Sequence, residues 1–314
     1  DLWTCKVSGR KYLDVHVFYV DSNFILRHAL IAVKHYAPSA AAQETGKASE
    51  ILFTIFEAVL AEFGIKLSDL AGGTTDSGPD VKAMCVNSLL LLQKIYWDWC
   101  DSHLCDKAAE NAFGTSADPQ KSKNKDARKV IQLVIKAAAK VNQSTTFKQK
   151  FDETQLEMLN ATLKITKHAP QRWLSLVRVM ERIIREFPLD KDNNKDDILQ
   201  LYSMLQPLSA ITRDGQYGTV PMSVEMHMAF AELKMDVLDP DKPLKEEHNG
   251  KKGRPPLPHT MVEPGDLRPV AVKTRDEIRK ALVQRFYSRF WDEESDDPSP
   301  FRDAAVLLTP SYKD

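Results

Sequence analysis

A chain of 314 residues, 43% hydrophobic and 28% charged, is long enough to bury a hydrophobic core without help from disulfides. Lysine and arginine total 43 against 44 aspartates and glutamates, a formal net charge of -1, which excludes a global field that would collect nucleic acid and leaves any DNA contact to a local patch. Cys5, Cys85, Cys100 and Cys105 are too few and too irregular for a secreted disulfide framework and read as reduced thiols of an intracellular protein, and no apolar run approaches the roughly 20 residues that cross a bilayer.

From Trp3 to about His35 the chain alternates with period two, through Tyr12, Val15, Val17 and Tyr19, then Phe24, Leu26, Ala29, Ile31 and Val33. Asp21-Ser22-Asn23 between the two runs is turn chemistry. With a first strand from Trp3 to Val7 ending near Gly9, the spacing predicts a three-stranded antiparallel meander and little room for a helix before Ser49. From Ser49 onward Ile51, Leu52, Ile55, Phe56, Val59, Leu60 and Phe63 recur at helical spacing, and Gly64 follows where such a helix would stop.

Ala71 to Asp76 is short, small and strand-compatible, and Ser77-Gly78-Pro79-Asp80 then leads into an apolar helix from Val81 to Leu92. Asp76 is thereby expected at the carboxyl end of a strand, where α/β folds gather ligands and catalytic groups. From Cys100 onward the pattern is helical, with polar breaks at Gly114 to Asp126 and Asp190 to Asp196. Prolines, charges and glycines from Pro240 to Pro269 predict a long surface loop, and helical spacing returns from Arg275 to Trp291. The chain carries no Gly-rich phosphate loop, nucleophile elbow or H-E-x-x-H helix, so the common nucleotide-binding and hydrolase classes lack support.

Asp1 and Asp76, one at the start of the first strand and one ending a later strand, are the carboxylate pair from which a Mg²⁺ site for phosphoryl chemistry would be built. On spacing alone, the competing reading is a solvated terminus and a helix-capping aspartate. Cys100 and His103 have a spacing compatible with two metal ligands, with Cys85 and Cys105 as candidate partners. Zinc sites usually show paired units, so the pair reads better as packing and hydrogen bonding at a strand-to-helix junction. Lys251-Lys252-Gly253-Arg254-Pro255-Pro256 has a Gly-Arg-Pro core that suits a narrow minor groove; it and Lys121 to Lys125 also read as ordinary solvated loops.

Four short motifs stand in order along the chain. They are Asp1-Leu2-Trp3-Thr4; Thr75-Asp76-Ser77-Gly78-Pro79-Asp80-Val81; Cys100-Asp101-Ser102-His103-Leu104; and Gln171-Arg172-Trp173-Leu174-Ser175 followed by Met180-Glu181-Arg182. The set resembles the D-x-W-T, D-x-x-x-N, C-x-x-H and T-R-W-x-S motifs of the hAT (hobo and Activator) DNA transposases. Asp80 stands where asparagine is usual. Weaker landmarks are Leu205-Gln206-Pro207-Leu208, Ile211-Thr212, Phe290-Trp291 and Leu308-Thr309-Pro310-Ser311-Tyr312-Lys313, the last departing from the family's pattern at Thr309 and Ser311.

The resemblance implies an α/β, RNase H-like mixed sheet with an opening antiparallel meander, interrupted by a large all-helical insertion domain. Residues 1–113 would be the first part of the catalytic domain, 114–300 the insertion with a loop at about 236–270, and 301–314 the start of the returning segment. Asp1 and Asp76 are implied as catalytic acids and ligands of two Mg²⁺ or Mn²⁺ ions, with a glutamate beyond Asp314 as the third acid. Trp173 is implied in stabilising a flipped base, with Arg172 beside it and His103 near the DNA; from spacing alone Trp173 also reads as a core tryptophan beside Leu174, Val177 and Met180. The implied partners are the double-stranded DNA of transposon ends and further copies of the chain, joined through a region beyond Asp314, in the nucleus and away from membranes.

The expected function is metal-dependent DNA cleavage and strand transfer in the full-length parent, incomplete without the third acid. The alternative is a domesticated descendant that binds DNA or protein without catalysis, which the departures at Asp80, Thr309 and Ser311 motivate.

Overall fold

The computed structural model describes residues 2–5, 7–45, 47–76, 78–116, 118–159, 162, 174–186, 194–215, 222–247 and 259–287. The protein is mixed α/β, mostly helical with small sheets. No described helix is long and apolar enough to cross a membrane. The described residues fall into two compact units, one up to His103 and one from Leu104 onward.

The first unit opens with β1 (Leu2–Thr4), β2 (Lys11–Val20) and β3 (Leu26–Tyr36), an antiparallel sheet in the order β1-β2-β3. The expected meander is therefore present. Its turns follow from local chemistry. Gly9, at φ +68°, closes the first by donating to the Cys5 carbonyl at 2.8 Å. In the second, Asp21 Oδ1 accepts from the amides of Asn23 at 2.9 Å and Ile25 at 3.0 Å, while Oδ2 pairs with Arg27 Nε at 2.8 Å. The register shifts between Val15 and His16, a bulge that ends the inward alternation. Leu13 and Val15 are buried, whereas Phe18, Tyr19 and Val20 are exposed.

A short helix, α1 (Ala40–Glu44), precedes α2 (Ala48–Glu62), so the stretch before Ser49 does hold a helix. Ser39 caps α1 by accepting from the Ala42 amide at 3.2 Å. Gly64, at φ +68°, ends α2, with Ile65 donating back to Leu60 at 3.0 Å. β4 (Gly72–Thr75) follows, then α3 (Pro79–Met84), which continues as a π-helical stretch over Cys85–Leu92. β5 (Tyr96–Trp99), which the periodicity does not announce, pairs in parallel with β4. One buried cluster unites these elements: Leu13, Val15, Tyr36, Leu52, Val59, Val81, Met84, Cys85, Leu89, Ile95 and Trp97. Each such side chain contributes about 1.5–3 kcal/mol by leaving water.

Burial pushes the Cys85 thiol up to about 11, with the Asp76 carboxylate acting in the same direction. A group whose folded pKa is raised above its unfolded value stabilises the fold below the unfolded value and loses that contribution as pH rises. Stability is therefore expected to fall between pH 9 and pH 11, by about 2–3 kcal/mol from this thiol at 1.36 kcal/mol per unit. Buried Tyr36, whose hydroxyl is raised by burial and then by Asp80, extends the loss at higher pH. Urea denaturation of Cys85→Ala at pH 8 and pH 10.5 tests this: a variant whose stability falls with pH as steeply as the unmodified chain's would refute the assignment.

α4 (Asp101–Phe113) carries the chain into the second unit, with the boundary at His103 inside that helix. Next come α5 (Lys125–Gln143), α6 (Thr145–Leu159), α7 (Leu174–Glu186), α8 (Asn194–Asp214) and α9 (Ser223–Met235). The proline-rich stretch is more than a loop. It contains an antiparallel ribbon of β6 (Leu244–Glu246) and β7 (Thr260–Val262), and α10 (Pro269–Leu282) already starts at its last proline. Polar side chains on α8 fasten these pieces. Gln200 donates to Glu246 at 3.3 Å and accepts from the Arg268 amide at 2.9 Å, and Asp197 accepts from Arg268 Nε at 2.9 Å.

Candidate strand-end site

β4 and β5 approach closely because β4 begins with glycine: a Cβ on Gly72 would lie 3.1 Å from the Tyr96 carbonyl oxygen. At the other end, Thr75 is held from three sides. Trp97 Nε1 donates to its Oγ1 at 2.9 Å, its hydroxyl donates to the Asp76 carbonyl at 3.0 Å, and Cys85 Sγ lies 3.8 Å away. Asp76 therefore leaves the strand from an anchored backbone, half-buried, at the carboxyl end expected for it.

The Asp76 carboxylate is itself fixed. Oδ1 accepts from the Gly78 amide at 3.0 Å, and a Cβ on Gly78 would come within 3.0 Å of that oxygen. Oδ2 has no protein partner among the described residues, so one hard oxygen donor remains for a cation. Proline at the first position of α3 then starts the helix, with Lys82 donating its amide to Gly78 at 2.8 Å. Asp80, where the resembled family has asparagine, serves the fold: the buried Tyr36 hydroxyl lies 3.2 Å from its Oδ2 and 3.1 Å from the Ala48 carbonyl oxygen, sharing one proton between two acceptors.

Parallel pairing sets Thr75 opposite Trp99, and the Cys100 amide continues the ladder by donating to the Thr75 carbonyl at 2.8 Å. Asp76 and the Cys100–His103 turn thus start from neighbouring strand ends. Burial raises the Cys100 thiol, and the amides of His103 and Ser102 at the start of α4 partly counter that by hydrogen bonding to sulfur. This is the junction role expected for Cys100. His103 is half-buried in the first turn of α4. Cys85, a candidate zinc partner from the sequence, is wholly buried against Thr75. No group of three histidine, cysteine, aspartate or glutamate side chains converges among the described residues.

Two residues, one at the same strand ends and one on α3, escaped the motif reading. Trp99 is half-buried, with the Trp97 ring 6.0 Å away, and Lys82 Nζ sits 4.7 Å over its ring. A W-x-W alternation directly before Cys100 was the available signal for the tryptophans; nothing local announced the lysine. Asp1, Arg172, Trp173 and the Gly-Arg-Pro segment lie outside the described residues; β1 begins at Leu2 and α7 at Leu174. No family model matches the chain, and no curated protein matches it in sequence.

Proposed function

We propose that the chain is the catalytic-core region of a hAT-type DNA transposase or of a descendant of one, with an RNase H-like core and a helical insertion. Asp76 would act there with Asp1 and a glutamate beyond Asp314 on the DNA of transposon ends, in the nucleus. The observation that carries this reading is the Asp76 carboxylate: it ends a strand, is aimed by the Gly78 amide, and keeps Oδ2 unengaged by protein among the described residues. The element order supports the same reading, with a meander, α2, β4, α3 and β5 followed by helices. So does the seating of the Cys100–His103 turn beside Asp76.

Asp76 offers an oxygen ligand of the kind that Mg²⁺ or Mn²⁺ prefers. When bound, such ions supply charge neutralisation at a scissile phosphate and a more acidic attacking hydroxyl. The protein's own part is orientation. Thr75, pinned by Trp97, and the Gly78 amide hold the carboxylate so that it need not reorganise during the reaction. The second reading, a silent DNA- or protein-binding descendant, draws on Asp80, whose carboxylate adds negative charge at the start of α3 where asparagine would be neutral.

Calorimetric titration of Mn²⁺ into the parent chain, extended past Asp314, separates the two. Binding that disappears in Asp76→Asn is the expected result. Binding indifferent to that change, or DNA retention with no metal dependence, would hand the protein to the silent reading.

A further inference from the structure

We infer that Lys82 and Trp99 form a holding point for the unpaired end of a DNA strand beside Asp76, the ammonium taking a phosphate and the indole face the adjacent base. The inference rests on the reading that Asp76 faces DNA, and it names how that DNA is held. Position comes first: Trp99 is the register partner of Thr75, the residue before Asp76, so its backbone lies one strand spacing, about 4.8 Å, from that residue. Lys82 projects from the helix that Asp76 and Gly78 introduce, and it is exposed.

The chemistry of the pair fits a nucleotide. Lys34, Lys107 and Lys129 each face a carboxylate, whereas Lys82 has none within ion-pair reach among the described residues and rests over an aromatic ring. An exposed cation–π contact is weak, and a phosphate oxygen offers the ammonium a charge-assisted hydrogen bond. The ammonium therefore exchanges ring for phosphate at little cost, which uncovers the indole for a base. Trp99 is prepared for that: its packed side touches the core cluster and Trp97, so little side-chain freedom is lost when a base stacks on it. A ring face and an ammonium read no base edge, so the holding point accepts any sequence.

Anisotropy of a labelled single-stranded oligonucleotide tests the idea on the chain as it stands, with chelator present and salt varied. Lys82→Gln is expected to lower the slope of log affinity against log salt by about 0.7, one phosphate contact on a single strand, and Lys82→Arg to restore it. Trp99→Leu is expected to weaken binding about tenfold with the slope unchanged, and Trp99→Phe to keep most of the affinity and report that the fold is intact. Wild-type affinity and slope in Lys82→Gln and Trp99→Leu would overturn the proposal. So would an unmodified chain that does not retain the oligonucleotide, or that prefers a blunt duplex. Binding is read without metal, so failure here leaves the Mn²⁺ titration at Asp76 standing, and failure of that titration leaves this result standing.

Discussion

Replacing Gly114 with alanine is expected to destabilise the helical unit by about 3 kcal/mol. Two separate penalties add. Gly114 sits at φ +66°, which costs a residue with a Cβ about 1–2 kcal/mol. The new Cβ would also stand 2.5 Å from the Asn124 carbonyl oxygen, 2.7 Å from Ser122 Oγ and 2.8 Å from Arg128 Cβ, and overpacking of this kind costs about 1–3 kcal/mol. The neighbours are poorly placed to yield. The Asn124 side-chain Nδ2 donates to the Ala112 carbonyl and to Thr274 Oγ1, both at 2.9 Å, and its Oδ1 accepts from the Ala127 amide at 3.2 Å. Arg128 donates to the carbonyls of Gly114 at 2.7 Å and Ser116 at 2.8 Å. One knot thus finishes α4 and starts α5, and shifting Asn124 loosens both.

Gly64→Ala is the matched control. Gly64 has nearly the same φ, +68°, with nothing within 4 Å of the added carbon, so it should show the backbone penalty alone, about 1–2 kcal/mol. Urea midpoints of the two variants separate strain from overlap. Equal losses would mean that the Asn124 knot gives way freely.

What the sequence reveals and what it hides divide along the range of the interactions. The meander is legible because alternation and the Asp21 turn are local, and α2 is legible because its apolar positions repeat over four turns and end at a glycine. α1 is short, yet its Ser39 cap was in plain view. β5 is hidden for a different reason: four residues between two helices carry no usable period, and its strand character rests on pairing with β4. The bulge at Val15/His16 likewise depends on β3, and beyond it Tyr19, which the alternation groups with Val15 and Val17, is exposed. At the site, the strand end that carries Asp76 follows from small β-compatible residues and a Gly-Pro helix start. The Lys82–Trp99 contact joins α3 to β5 across chain positions that no local pattern connects.

Asp76→Asn is the change expected to have the largest functional effect: on the transposase reading proposed above, cleavage by the full-length parent should fall about a thousandfold or more. A metal ligand supplies several kcal/mol at the transition state, and each 1.36 kcal/mol lost is tenfold in rate. Folding should be spared. The asparagine oxygen still accepts from the Gly78 amide, the side chain keeps its volume, and removing the charge eases the nearby Cys85 thiol, whose pKa Asp76 helps to raise. Asp76→Ala should instead give up the Gly78 hydrogen bond and about 1 kcal/mol of stability along with the activity. Activity and thermal midpoint, measured together on both variants, set the catalytic reading against the capping one. A cap predicts that Asn is tolerated in every respect and that Ala harms stability first. A metal ligand predicts that both variants are inactive and that only alanine melts early.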